Sequence, residues 1–146
     1  MSDNSHFERS HSIEIAASQE AVLNYVSNPN TWPEWITTHR LESPDRPLVK
    51  GDTFREFWAT RKGDATLDWK VIDSAPGAFW LGETFASFIG TIQVRYDVER
   101  TDEGTRFTRT MINPNRPKPP TDEMIARMDA EATESLKKIK ANVEKL

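Results

Sequence analysis

Four side chains in this sequence, Arg9, His11, Glu56 and Arg109, could do chemistry if a fold brought them together. Arginine supplies a permanent cation with a rigid fork of donors, histidine titrates near neutrality, and a glutamate can orient either one. Strand alternation places each of them on a face shared with large apolar residues. Phe7, Arg9, His11, Ile13 and Ile15 share one face of a first strand, and Phe54, Glu56 and Trp58 one face of a second. Phe107, Arg109 and Met111 share a face of the last strand. Buried unpaired, any of the four is costly, so they must pair with one another or reach water or a ligand. In one reading, Arg109 and His11 donate to a ligand carboxylate or enolate, Glu56 orients one of them, and His11 can move a proton. In the other, Arg9 and His11 face solvent at the ragged start of their strand, and a Glu56–Arg109 pair serves structure alone.

The same alternation yields an aromatic face. Leu67, Trp69, Val71 and Asp73 fall on one side of a strand, and Ile92, Val94, Tyr96 and Val98 on one side of another. Between them lies a strand of ambiguous facing, with Phe79, Leu81, Glu83 and Phe85 opposed by Trp80, Gly82 and Thr84. Flat apolar ligands suit such a surface. Core packing is the simpler account of any single ring, but as a set some must border whatever cavity exists. Ligand-contact candidates are therefore His11, Glu56, Trp58, Trp69, Phe85, Tyr96, Phe107, Arg109 and, beneath a proline-rich connection, Met128. Trp32 and Trp35 read as packing at a helix–turn–sheet junction. No catalytic residue is assigned.

These residues need elements to hold them. A strand at about Phe7–Ala16 opens the chain, and Ser18 then caps a short helix with Ala21, Val22, Tyr25 and Val26 on its apolar side. Pro29 and Pro33 enforce a stop and a second helical turn around Thr31–Ile36. Five strands follow at short spacing: Thr53–Arg61, Ala65–Ser74, Ala78–Ala86, Ile89–Arg100 and Thr105–Ile112. Turn signals separate them at Lys62-Gly63-Asp64, Pro76-Gly77 and Asp102-Glu103-Gly104. The segment Pro114–Pro120 reads as irregular, because four of its seven residues lack an amide donor. Thr121 then caps a long helix striped by Ile125, Met128, Ala132, Leu136, Ile139, Val143 and Leu146. A helix this long on a small protein must lie across a sheet to bury its stripe. The expected architecture is α+β, a curved antiparallel sheet of six or seven strands gripping the C-terminal helix, with two short helices after the first strand.

Bulk properties narrow the function classes. A chain of 146 residues fits one domain, residues 1–146, with no repeat or linker. Net charge −4 argues against nucleic acid and anionic membranes as partners. With no cysteine there can be no disulfide, thiolate nucleophile or cysteine metal site. His6, His11 and His39 lack metal-ligand spacing, and no P-loop, dinucleotide or nucleophile-elbow motif occurs, so neither metal nor cofactor is expected. The N-terminus lacks an apolar signal core and no run is long enough to span a membrane, so cytoplasmic location and no membrane insertion are expected. A sheet edge allows either a monomer or a homodimer.

Short motifs along nearly the whole chain carry a resemblance. They are Ile13-Glu14-Ile15-Ala16-Ala17 with Ala21-Val22, Trp32-Pro33-Glu34-Trp35, Trp69-Lys70-Val71, Tyr96-Asp97-Val98-Glu99, Gly104-Thr105-Arg106-Phe107-Thr108 and Leu136-Lys137-Lys138-Ile139-Lys140. The sequence resembles the START-like (Bet v 1-like, SRPBCC) superfamily, and within it the polyketide cyclase/dehydrase type. The resemblance implies the helix-grip fold with an elongated, mostly apolar cavity, in members that bind lipids, sterols, hormones or polyketides or close aromatic rings. The first expectation for function is binding of a hydrophobic small molecule in that cavity. The alternatives are a polyketide cyclase/aromatase or dehydratase acting there, and a protein-interaction module resembling the Hsp90 activators.

Overall fold

In the computed structural model, residues 5–36, 40–60, 63–86 and 90–146 are described. The chain runs β1 (Ser5–Ile15), α1 (Gln19–Val26), a 3-10 helix (Pro29–Glu34) and β2 (Arg40–Glu42). It continues through β3 (Thr53–Thr60), β4 (Gly63–Ala75), β5 (Phe79–Ala86), β6 (Gly90–Thr101) and β7 (Gly104–Arg116) to α2 (Asp122–Glu144). All seven strands form one antiparallel sheet in the order β1-β7-β6-β5-β4-β3-β2. This is the expected helix-grip architecture.

Local chemistry explains the element ends. The Ser18 side chain accepts from the Ala21 amide at 3.1 Å, and α1 buries Val22, Leu23, Tyr25 and Val26. Asn28 caps the 3-10 helix through the Asn30 amide, with Pro29 in its first turn. The Trp32 indole N–H reaches back to the Val26 carbonyl at 3.0 Å, fixing the junction between the two helices. Thr121 caps α2 through the Met124 amide. In α2 the buried residues are Ala132, Ser135, Leu136, Ile139 and Val143, all in its last three-fifths.

Register decides which faces point inward. His11 lies opposite Arg109, Arg109 opposite Tyr96, and Tyr96 opposite Trp80, one inward row across four strands. The ambiguous strand β5 thus turns Trp80, Gly82 and Thr84 inward, leaving Phe85 66% exposed on the outer side. Gly82 makes this facing workable, since a Cβ there would lie 2.6 Å from the Trp80 ring.

Three expectations need correction. A bulge between Val71 and Asp73 breaks the alternation of β4, so Asp73 is exposed and does not share the face of Val71. The proline-rich segment is regular at its start, because β7 runs on to Arg116. Phe7 pairs with Asn113 and Ser5 with Arg116, so Pro114 falls in a register shift, where a missing N–H is tolerated. The third concerns β2, which pairs Arg40, Leu41 and Glu42 with Phe57, Glu56 and Arg55, a strand not among those read from the sequence. Three residues are too few to show a period, and one support, the Arg40 guanidinium over the Phe57 ring at 4.0 Å, is tertiary. His39, Arg61 and Lys62 lie outside the described residues. Among the described residues no helix is long and apolar enough to cross a membrane.

Candidate functional site: an aromatic cavity under the C-terminal helix

Between the concave face of the sheet and α2 lies a cavity of about 620 Å³. Trp32, Trp35, Trp69 and Tyr96 form its deep aromatic wall, Ile92, Val94 and Met111 an aliphatic one, and Trp58, Met124 and Met128 stand nearer solvent. The aromatic wall is rigid. Trp32 meets Trp35, Phe54, Trp69 and Trp80 edge-on at 5.3–6.2 Å, and Phe54 and Trp69 stack in parallel at 5.8 Å. Trp80 stacks on Tyr96 at 5.0 Å from behind.

Of the residues expected to touch ligand, His11, Glu56, Trp58, Trp69, Tyr96, Arg109 and Met128 line this cavity. Two do not. Phe85 points to the outer side of the sheet for the reason given above. Phe107 belongs to the adjacent inward row with Ile13 and Val98, where it is fully buried and packs on Tyr96 at 5.6 Å. It supports the wall without forming it. Conversely, Trp32 and Trp35 are more than junction packing, since both border the cavity. Their spacing of three residues on one side of a helical turn was the available signal.

The polar groups are arranged in two sets. At the edge, Asp129 of α2 accepts from Arg9 Nε at 2.9 Å, from Arg9 Nη2 at 2.6 Å and from His11 Nε2 at 2.7 Å. Arg9 and His11 therefore do not simply face solvent. Their strand start is tied to the helix, and both line the cavity. These bonds, Arg9's foremost, hold the Asp129 carboxyl well below the usual carboxylate range. Asp129 was not singled out from sequence. The signal was an acidic residue inside the apolar stripe, four residues after Ile125 and three before Ala132.

Deeper in, Glu56 is buried and accepts the Trp69 indole N–H at 3.1 Å. Burial pushes the Tyr96 phenol well above its ordinary range, and the Glu56 charge pushes it further. Arg109, as neighbouring cation and hydrogen-bond partner, pulls it the other way. Tyr96 is therefore a neutral phenol at physiological pH. Arg109 carries a buried Nε that finds no hydrogen-bond acceptor. Glu56 and Arg109, both lining the cavity, thus act on Tyr96 in opposite senses. Among the described residues no cluster of three or more His, Asp or Glu side chains is placed to hold a metal ion.

Solved structures share this architecture at low sequence identity. The di-domain aromatase/cyclase StfQ of the steffimycin biosynthetic pathway superposes with a TM-score of 0.74 at 16% identity, over 98% of this chain and 52% of its own. The chain thus corresponds to about half of that protein. The Zhui aromatase/cyclase of a Streptomyces species gives 0.71 at 13% identity, over 96% and 94% of the two chains. Ara h 8.0201 gives 0.71 at 9% identity, over 97% and 100%. No curated protein matches the sequence. A family profile described as polyketide cyclase/dehydrase and lipid transport matches residues 6–144, and the chain belongs to that family.

Proposed function

We propose that the protein binds a flat hydrophobic small molecule in the cavity beneath α2. The observation that carries this reading is the cavity itself, about 620 Å³ walled by Trp32, Trp35, Trp69 and Tyr96. Such a volume lies within the range of small-molecule sites, and rigid aromatic walls suit planar apolar ligands. The test is native mass spectrometry of the bacterially expressed protein, together with thermal melting against lipids, sterols and polycyclic aromatics. A co-purified apolar ligand, or a rise of several degrees with one class, is the expected result. No adduct and no shift across the panel would sink the reading.

One observation favours a second reading, catalysis of ring closure or dehydration in the same cavity. His11 is held by Asp129 and stands across the ladder from Arg109, so an oriented imidazole adjoins a cation able to stabilise an enolate. Named relatives in fold are aromatase/cyclases. Turnover of an aromatic poly-β-ketone that is lost in His11→Ala, with ligand binding retained, would move this reading ahead of the first.

A further inference from the structure

Helix α2 is fastened along one flank only. At about 3.6 residues per turn, Asp129, Lys140 and Glu144 fall on one side of it, and all three bond to β1 or the residue after it. Asp129 accepts from Arg9 and His11, Lys140 Nζ donates to the Glu14 carbonyl at 3.0 Å, and the Ala16 amide donates to Glu144 at 2.8 Å. Asn142 adds a bond to Tyr25 of α1 at 2.9 Å. On the opposite flank Met124, Met128, Glu131, Ser135 and Lys138 recur at steps of four and three, and all of them line the cavity. Only Ser135 of these is buried, and among the described residues no hydrogen bond or ion pair joins this flank to β2, β3 or the 3-10 helix. Strand order gives the reason. β1 stands at one end of the sheet and β3 next to the other end, so a helix docked on β1 leaves the rim at β3 apart from it. The 3-10 helix lies along that rim, with Trp32 against Phe54 of β3 at 5.3 Å. Exposed apolar surface marks the same place. Among the described residues, Trp58 and Met124 are the large exposed hydrophobic side chains that line the cavity.

We propose that small molecules enter and leave the cavity between this unfastened flank of α2 and the rim at β3, passing Trp58, and that Glu131 and Trp58 set the width of the passage. This rests on the ligand-binding reading above and gives it a route. Opening here breaks none of the bonds that hold α2 to β1, so it costs less than lifting the helix from its fastened side. The exposed charges of Glu131 and Lys138 stay in water and do not seal the rim by apolar packing. Met124 and Met128 are unbranched and rotate readily, so they can shift around a passing molecule.

Stopped-flow fluorescence with 1-anilinonaphthalene-8-sulfonate as the probe tests it, by measuring association and dissociation rates separately. Glu131→Trp and Lys138→Trp, both at exposed positions, are expected to slow the two rates by a similar factor, about threefold or more, because a narrower passage raises one barrier for both directions. Trp58→Ala is expected to speed both. Thr133→Trp, the same bulk placed on the fastened flank, should leave both at wild-type values. Should Trp58→Ala fail to fold, the exposed helix positions still decide. Wild-type rates in Glu131→Trp and Lys138→Trp, or slowing in Thr133→Trp in their place, would overturn the route while leaving ligand binding intact. A change confined to dissociation would also overturn it, since that marks an ordinary contact with the bound probe. If the probe does not bind the wild-type protein, the ligand-binding reading falls and the route with it.

Discussion

Two indole nitrogens buried in the same aromatic cluster have opposite surroundings. Trp69 donates to Glu56, whereas Trp80 Nε1 has no partner. Replacing each by phenylalanine removes similar ring volume, but only Trp69→Phe takes a hydrogen bond from a buried carboxylate. It should therefore be the more destabilising of the two by roughly 1–2 kcal/mol in urea denaturation. Equal losses would mean that the Trp69–Glu56 bond contributes nothing net. At this scale the sequence was readable wherever a strand has one apolar and one polar face, as for Glu56, Trp58 and Arg109. It was unreadable where both faces are apolar, as in β5, and only partly readable for Trp32 and Trp35, whose spacing shows a shared side of a turn but not what that side faces. Asp129 interrupts the apolar stripe of α2, but its partners could not be read from that, since they lie 118 and 120 residues away.

Among the elements, the contact of β1 with α2 responds most directly to pH. Asp129 has its carboxyl lowered from an ordinary value of 3.8 by Arg9 and His11. A lowered carboxyl contributes fully above its ordinary value and loses that contribution as pH falls below it. The stability gap between wild type and Asp129→Asn should thus close as the solution is acidified through the range below about 4, followed by thermal melting across acidic pH. A gap that is unchanged at pH 3 would show that the carboxylate's charge plays no part. The long elements were legible because period and caps agree, as in α2 with Thr121 and its apolar stripe. Bulges at Val71/Asp73 and Ser5/Phe7 were not, since each depends on the register of a partner strand.

On the scale of the whole molecule, the order of strands matters more than any one of them. The sheet places first strand beside last, with Ser5 opposite Arg116, so the concave face is complete only when nearly the entire chain is in place. The helix that closes the cavity then rests on it unevenly. From Ala132 onward its inner side is buried, while from Asp122 to Glu131 no residue is buried and Asp129 makes the ties to β1. The two ends of α2 should consequently keep different time. In native-state hydrogen exchange, amides between 126 and 131 should open by local fraying and exchange well ahead of those from 136 to 143, which wait for opening of the core. An occupant of the cavity would slow the early group and leave the late one unchanged. The exchange clock of a single helix would then report whether the space beneath it is filled, and uniform exchange along α2 would show instead that it opens as one unit.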